Sequence, residues 1–250
     1  MAAAIALSTA SAHAAVIEDW QFGDAADTAL NAVANAGPNN SSLGAAATSG
    51  NVTTDGAGNL RFSVGADASD NLFRNSNSAL GLSTGTVTLS FTYSDASITG
   101  GDASGANVGF GFREEGTNTD LFAVRLQKQS GSLRLQTRIA GSNTNLENFG
   151  TDTLAGPLAV TAVANLDTDL LDVSWSINGG TVSTATGIAI TDATYDFLRT
   201  AANLNTTDFG ANDTVGVDFI TVDYVVPEPA SLALVALGGL SMLGRRRKSL

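Results

Sequence analysis

Cysteine is absent from this chain, and its only histidine is His13, near the amino terminus. Without cysteine there are no disulfides, no thiolate nucleophile and no cysteine-bound zinc. A Ser-His-Asp triad or a histidine zinc site would have to use His13, which we expect to be removed with a leader peptide. Any acid–base chemistry in the mature protein therefore depends on carboxylates.

Positive charge is also scarce, because 12 Lys and Arg stand against 24 Asp and Glu and give a net charge of −12. Nucleic acid is thereby excluded as a partner, since its binders carry basic patches that meet phosphates. Charged residues are only 14% of the chain, but 43% are hydrophobic, which is enough to build a core. A length of 250 residues suits one large β-sandwich or barrel domain.

The first fourteen residues, MAAAIALSTASAHA, are typical of the end of a secretory leader. Their apolar run stops at a small-x-small pattern in which Ala12 and Ala14 flank the one histidine, so we predict a signal peptide over residues 1–14 with cleavage after Ala14. No Lys or Arg precedes Arg61, and we therefore expect the true start to lie upstream. The alternative is a small apolar amino-terminal strand.

The carboxyl terminus combines three features in order: Pro227-Glu228-Pro229, an apolar run over residues 230–244, and the cations Arg245, Arg246, Arg247 and Lys248. A helix of fifteen residues is about 22 Å long, short of the roughly 30 Å hydrocarbon core. We predict a short transmembrane helix with its cations on the cytoplasmic side. A buried core helix is the alternative, but four terminal cations fit it poorly.

This order of features resembles the PEP-CTERM sorting signal of Gram-negative bacteria, also catalogued as the ice-binding protein C-terminal domain, over residues 225–250. The resemblance implies an exosortase in the inner membrane that recognises Pro227, Glu228, Pro229 and the helix and processes the tail. It also implies a role beside exopolysaccharide and biofilm. It indicates sorting and does not identify a ligand.

Residues 15–224 show the period of two that is typical of strands, so we expect an all-β antiparallel jelly-roll or β-sandwich of about ten strands. Two segments, residues 27–34 and 191–204, are predicted as short helices. A shift of phase between Phe219 and Ile220 predicts a bulge, or burial on both faces of the strand. The predicted strands lie at residues 19–22, 59–64, 86–94, 108–113, 122–127, 133–138, 158–166, 171–177 and 215–224.

The opening segment Trp20-Gln21-Phe22-Gly23-Asp24 and the closing segment Val217-Asp218-Phe219-Ile220 resemble concanavalin A-like (laminin-G-like) jelly rolls. Some glycosidases of that fold use a Glu-x-Asp-x-x-Glu strand. The four glutamates between leader and tail are Glu18, Glu114, Glu115 and Glu147, and none stands in that pattern. We therefore predict that the protein is not an enzyme, with a divergent glycan-active enzyme as the alternative.

Five of the cations between leader and tail fall within 26 residues, and Arg125, Arg134 and Arg138 occupy polar positions of two predicted neighbouring strands. Such a row would hold the carboxylates of an acidic polysaccharide by paired hydrogen bonds. The alternative is a solvated outer face.

Aspartates are frequent in predicted loops, and Asp67, Asp70, Asp167 and Asp169 are candidate ligands for a structural Ca²⁺. The alternative is turn chemistry, in which Asp and Asn bond their own backbone. No other cofactor is expected.

Together these patterns predict an exported protein of the cell surface or extracellular matrix that is structural or glycan-binding. A purely structural or ice-interacting surface protein is a further alternative, which would need a flat, regular threonine-bearing face. Thr86, Thr88 and Thr92 are a short indication of one.

Overall fold

The computed structural model describes residues 14–37, 52–64, 71–76, 78–100, 105–117, 120–204 and 206–226. The predicted leader up to residue 13, the calcium candidates Asp67 and Asp70, and the tail from Pro227 onward lie outside the described residues. Within those ranges no helix is long and apolar enough to cross a membrane, and the predicted helix over residues 230–244 falls outside them.

Fourteen strands and one short 3-10 helix, Leu30–Ala32, make up the described secondary structure. The strands are β1 Ala15–Trp20, β2 Val52–Thr54, β3 Leu60–Ser63, β4 Asn71–Asn75, β5 Thr86–Ser97, β6 Asn107–Arg113, β7 Asp120–Gln129, β8 Ser132–Ile139, β9 Ser142–Asn148, β10 Leu158–Asn165, β11 Leu170–Ile177, β12 Ser183–Ala189, β13 Phe197–Asn203 and β14 Thr214–Val225.

The strands form two antiparallel sheets. The eight-stranded sheet runs β12-β11-β10-β5-β14-β3-β2, with β1 also paired to β14. The six-stranded sheet runs β4-β13-β6-β7-β8-β9. Each sheet turns its apolar side chains toward the other, because alternate residues of a strand point to opposite faces. The predicted all-β antiparallel sandwich is therefore confirmed.

The core fills the space between the sheets with aromatic and branched side chains. In β5 the alternating Val87, Leu89, Phe91 and Tyr93 are all fully buried. Phe91 packs edge-on against Phe110 of the opposite sheet, with ring centroids 4.9 Å apart. Aromatic pairs of this geometry add to the stability that their buried area provides. The period-two pattern thus marks the sandwich interior.

Two segments differ from the prediction. Residues 191–204 contain a strand, β13, instead of a helix, because Leu198, Thr200 and Ala202 alternate toward the core. Residues 27–34 contain just the single 3-10 turn. The predicted bulge is confirmed, since the register of β14 against β5 shifts between Val217 and Ile220.

Candidate functional site

Strand pairing brings the predicted arginines together on the face of the six-stranded sheet that points away from the core. Arg125 lies opposite Gln136, Arg134 opposite Gln127 and Arg138 opposite Ala123, so all three share one face of β7 and β8. Arg199 of β13 joins them, because it lies opposite Gly111, which in turn lies opposite Ala123. We call the surface formed by Arg125, Arg134, Arg138 and Arg199 the arginine face.

Arg125 is only 9% exposed, so it is not the freely solvated side chain that the alternative interpretation expected. Its guanidinium donates to Gln127 Oε1 at 2.7 Å and to Gln136 Oε1 at 3.2 and 3.3 Å. Gln136 in turn donates to Asn145 Oδ1 of β9 at 2.6 Å. Burial and the neighbouring charge of Arg138 lower the pKa of Arg125 to about 10. Arg125 therefore stays cationic at neutral pH.

Asp120, at the start of β7, forms ion pairs with two of these arginines. Arg199 Nη1 donates to Asp120 Oδ1 at 2.7 Å, and Arg138 Nε lies 3.3 Å from Asp120 Oδ2. Burial lowers the pKa of Arg199, although the charge of Asp120 opposes this effect. The four guanidinium groups outnumber this carboxylate, on a chain whose net charge is −12. The arginine face is thus locally positive.

The two arginines nearer the edge of the sheet are half-buried. Arg134 Nη1 donates to Gln129 Oε1 at 3.1 Å, and Arg138 Nη1 donates to Asn143 Oδ1 at 3.1 Å. In the described part of the chain, Arg134 Nε is buried and makes no hydrogen bond. Since a guanidinium carries five N–H donors, both side chains retain donors for a ligand.

Two glycines of β6, Gly109 and Gly111, leave room for side chains of the arginine face to lie close to the sheet. A Cβ on Gly109 would lie 2.4 Å from Arg125 Cβ, so any larger residue would displace that side chain. Asp120, Arg199 and these glycines were not among the predicted site residues. Arg199 was missed because its strand was predicted as a helix, and Asp120 because its pairing with Arg199 joins positions 79 residues apart.

The calcium candidates that the structure describes have roles in turns. Asp167 Oδ1 accepts from Gly85 N at 3.1 Å, and Asn165 Oδ1 accepts from Asp167 N at 3.0 Å. Asp169 has a φ of 54°, which places it in the left-handed region. In the described ranges, no three His, Cys, Asp or Glu side chains are grouped to hold a metal ion. Calcium binding stays a prediction.

The carboxyl-terminal residues match a known protein family. The profile of the PEP-CTERM protein-sorting motif matches residues 225–248. This chain carries a PEP-CTERM sorting motif. The match covers Pro227, Glu228, Pro229, Arg245, Arg246 and Arg247, so the resemblance proposed from the sequence is confirmed. The motif is a sorting signal for export and surface anchoring, which is consistent with a protein of the cell envelope.

Solved structures show the same sandwich architecture in carbohydrate-related proteins. The endo-1,3-beta-glucanase from Streptomyces sioyaensis is 15% identical, with a TM-score of 0.53 over 90% of this chain and 100% of that one. The basic winged bean lectin with Tn-antigen is 10% identical, with a TM-score of 0.51 over 71% of this chain and 91% of that one. No curated protein matches in sequence. These likenesses confirm the predicted concanavalin A-like sandwich fold.

Proposed function

We propose that this PEP-CTERM protein is exported through the inner membrane, sorted by an exosortase, and binds acidic exopolysaccharide at the cell surface through its arginine face. The observation that carries the proposal is the clustering of Arg125, Arg134, Arg138 and Arg199 on one face of the six-stranded sheet, where Arg134 and Arg138 are half-buried and Arg125 and Arg199 are buried. Guanidinium groups bind carboxylates by two parallel hydrogen bonds. A uronic acid polymer offers carboxylates in a repeating row.

Two further points support a glycan as the ligand. The lectin and the glucanase with this fold are both named for carbohydrate. The positive face stands out on an acidic chain, so an anionic polymer is attracted to this face and repelled elsewhere.

The proposal is a binding function without catalysis. Glycoside hydrolysis by the usual route needs two carboxyl groups that flank the scissile bond. On the arginine face, Asp120 is paired with Arg138 and Arg199, so both of its carboxylate oxygens are engaged in ion pairs. The alternative of a divergent glycan-active enzyme would need a second carboxylate facing Asp120.

A titration of the full-length protein with oligogalacturonate, and with an uncharged galactan of matched length, tests the proposal. We expect saturable binding of the acidic glycan and at least about tenfold weaker binding by the double variant Arg134→Gln/Arg138→Gln, because each hydrogen bond to a charged group contributes about 1.5–3 kcal/mol. Isothermal titration calorimetry measures both. These half-buried side chains are preferable to Arg125, whose buried network is part of the fold.

Arg61→Gln and the single variant Arg134→Gln form the matched pair, since each removes one cation and Arg61 lies on the eight-stranded sheet, paired with Asp55 and Asp95. An equal loss of affinity in the two variants would assign the binding to overall charge. Absence of binding to the acidic glycan would contradict the proposal. A loss of affinity in chelator would support a role for calcium at the aspartate loops.

A second candidate function, an ice-interacting or structural surface, is favoured by a row of hydroxyl residues on the eight-stranded sheet. Five adjacent strands place one hydroxyl residue each in register: Thr221, Ser90, Thr161, Ser174 and Thr184. At the usual strand spacing the row is about 19 Å long. All five side chains are half-buried or exposed. This row is longer than the indication from Thr86, Thr88 and Thr92 and runs across the strands.

The hydroxyl row predicts that the full-length protein slows the recrystallisation of ice. Replacing the central Thr161 by arginine is expected to abolish this effect, because a large cation interrupts the flat array. The Arg134→Gln/Arg138→Gln variant is expected to retain the effect, since it alters the other sheet. Ice-grain growth followed by cryomicroscopy measures all three proteins. If the wild-type protein does not slow the growth of ice grains, the hydroxyl row does not interact with ice.

A further inference from the structure

A partly open pocket of about 400 Å³ lies at the edges of the two sheets, lined by other residues than the arginine face. Its walls come from β9, the edge strand of the six-stranded sheet, and from β11 and the start of β12 in the other sheet. We call it the edge pocket, and its main lining residues are Glu147, Asn148, Phe149, Trp175, Thr181 and Ser183.

We propose that the edge pocket binds one neutral sugar residue. Its volume falls within the range of about 300–1,000 Å³ that is usual for small-molecule sites. The lining combines aromatic side chains with a carboxylate, an amide and three hydroxyl residues. A sugar ring matches this mixture, because its C–H faces are apolar and its rim carries hydroxyls that both donate and accept.

The apolar part of the pocket is formed by Trp175 and Phe149. Trp175 lines the pocket and is 7% exposed, and its strand is paired on both sides, with Val160 and Ser183 opposite it. Phe149 is half-buried and is fixed by the hydrogen bond from its own N to Leu133 O, at 3.0 Å. Aromatic side chains that are ordered before binding lower the entropy lost on binding.

The polar part of the pocket carries acceptors and hydroxyls. Glu147 is half-buried. Its Oε1 accepts a hydrogen bond from Asn148 N at 3.2 Å. Thr181 is exposed and Ser183 is half-buried, and both residues line the pocket. A carboxylate that accepts from two sugar hydroxyls is a strong, charge-assisted contact.

The charge of the pocket selects against acidic sugars. Glu147 repels a uronate, and no cation is among the described residues that line the pocket. The edge pocket and the arginine face therefore favour opposite ligands, which lets each be tested without the other. A mixed glycan with neutral and acidic residues would engage both.

The chain contains two tryptophans, which makes intrinsic fluorescence a direct test. Trp20 is fully buried, so titration with glucose, galactose, mannose or cellobiose at millimolar concentrations is expected to change the emission of Trp175 alone. The response should saturate with at least one of these sugars. It should persist in Trp20→Phe, disappear in Trp175→Phe, and remain in Arg134→Gln/Arg138→Gln.

Glu147→Gln provides the second variant, because this half-buried side chain can be changed without disturbing the core. We expect about tenfold weaker binding of the neutral sugar by calorimetry, from the loss of a charged acceptor. In the Arg134→Gln/Arg138→Gln background, where the arginine face is impaired, glucuronate should bind more weakly than glucose, because Glu147 repels its carboxylate. Three results would each overturn the proposal: no saturable response to any of the four sugars, binding unchanged by both Trp175→Phe and Glu147→Gln, or glucuronate bound as well as glucose in that background.

Discussion

Replacing Tyr93 by phenylalanine is expected to lower the free energy of unfolding by about 2–4 kcal/mol. The Tyr93 hydroxyl lies inside the core and joins the two sheets, because it donates to Val108 O at 2.7 Å and accepts from Leu126 N at 3.1 Å. Phenylalanine keeps the ring packing but leaves a buried carbonyl and a buried amide without their partner. Each such group costs about 1–3 kcal/mol.

Tyr224→Phe is a matched control, since the Tyr224 hydroxyl donates to Thr84 O at 2.9 Å at the protein surface. There water replaces the lost partner, and the expected change is within about 0.5 kcal/mol. Denaturation in urea, followed by circular dichroism, measures both variants. If the Tyr93→Phe variant is as stable as the wild type, the hydroxyl makes no net contribution to the free energy of unfolding. Burial raises the pKa of the Tyr93 phenol, so the hydroxyl remains protonated at neutral pH.

The strands with one buried and one solvent-exposed face are among those that the sequence predicts well. In β5, β10 and β11 the large apolar residues alternate with small or polar ones, so the period of two is visible without a structure. The strands that were missed lack this contrast. Strand β9 reads SNTNLEN and is mostly exposed, because an edge strand needs few core side chains. Pairing with β8, and not its own composition, makes it a strand.

The arginine face was partly predictable from the same alternation of residues along a strand. Arg125, Arg134 and Arg138 lie on two strands joined by a tight turn, so their shared face follows from local alternation alone. Arg199 joins them through β6, which separates β13 from β7 in the sheet. Such a neighbour depends on the order of strands in space, which residue periodicity does not encode. The edge pocket was unpredictable on the same grounds, since it combines residues of two sheets.

The glycines of β6 illustrate how a small residue controls both the fold and the arginine face. Gly111→Ala is expected to lower the free energy of unfolding by about 3 kcal/mol, the upper end of the usual range for overpacking. A Cβ at this position would lie 2.1 Å from Phe122 O and 2.5 Å from Ala123 Cα, and both are atoms of the neighbouring strand's backbone. Backbone atoms cannot rotate aside as a flexible side chain does, so β6 and β7 must separate.

That separation would also reach the arginine face, because Gly111 lies between Arg199 on β13 and Ala123 on β7. The ion pair from Arg199 to Asp120 spans this gap, so we expect weaker binding of oligogalacturonate together with the loss of stability. Gly23→Ala is the control, since a Cβ there meets no atom within 4 Å. Urea denaturation and calorimetry on the three proteins measure both effects. Retained stability in Gly111→Ala would mean that the two strands tolerate a wider spacing, and that the close contact at Gly111 does not hold the arginines in place.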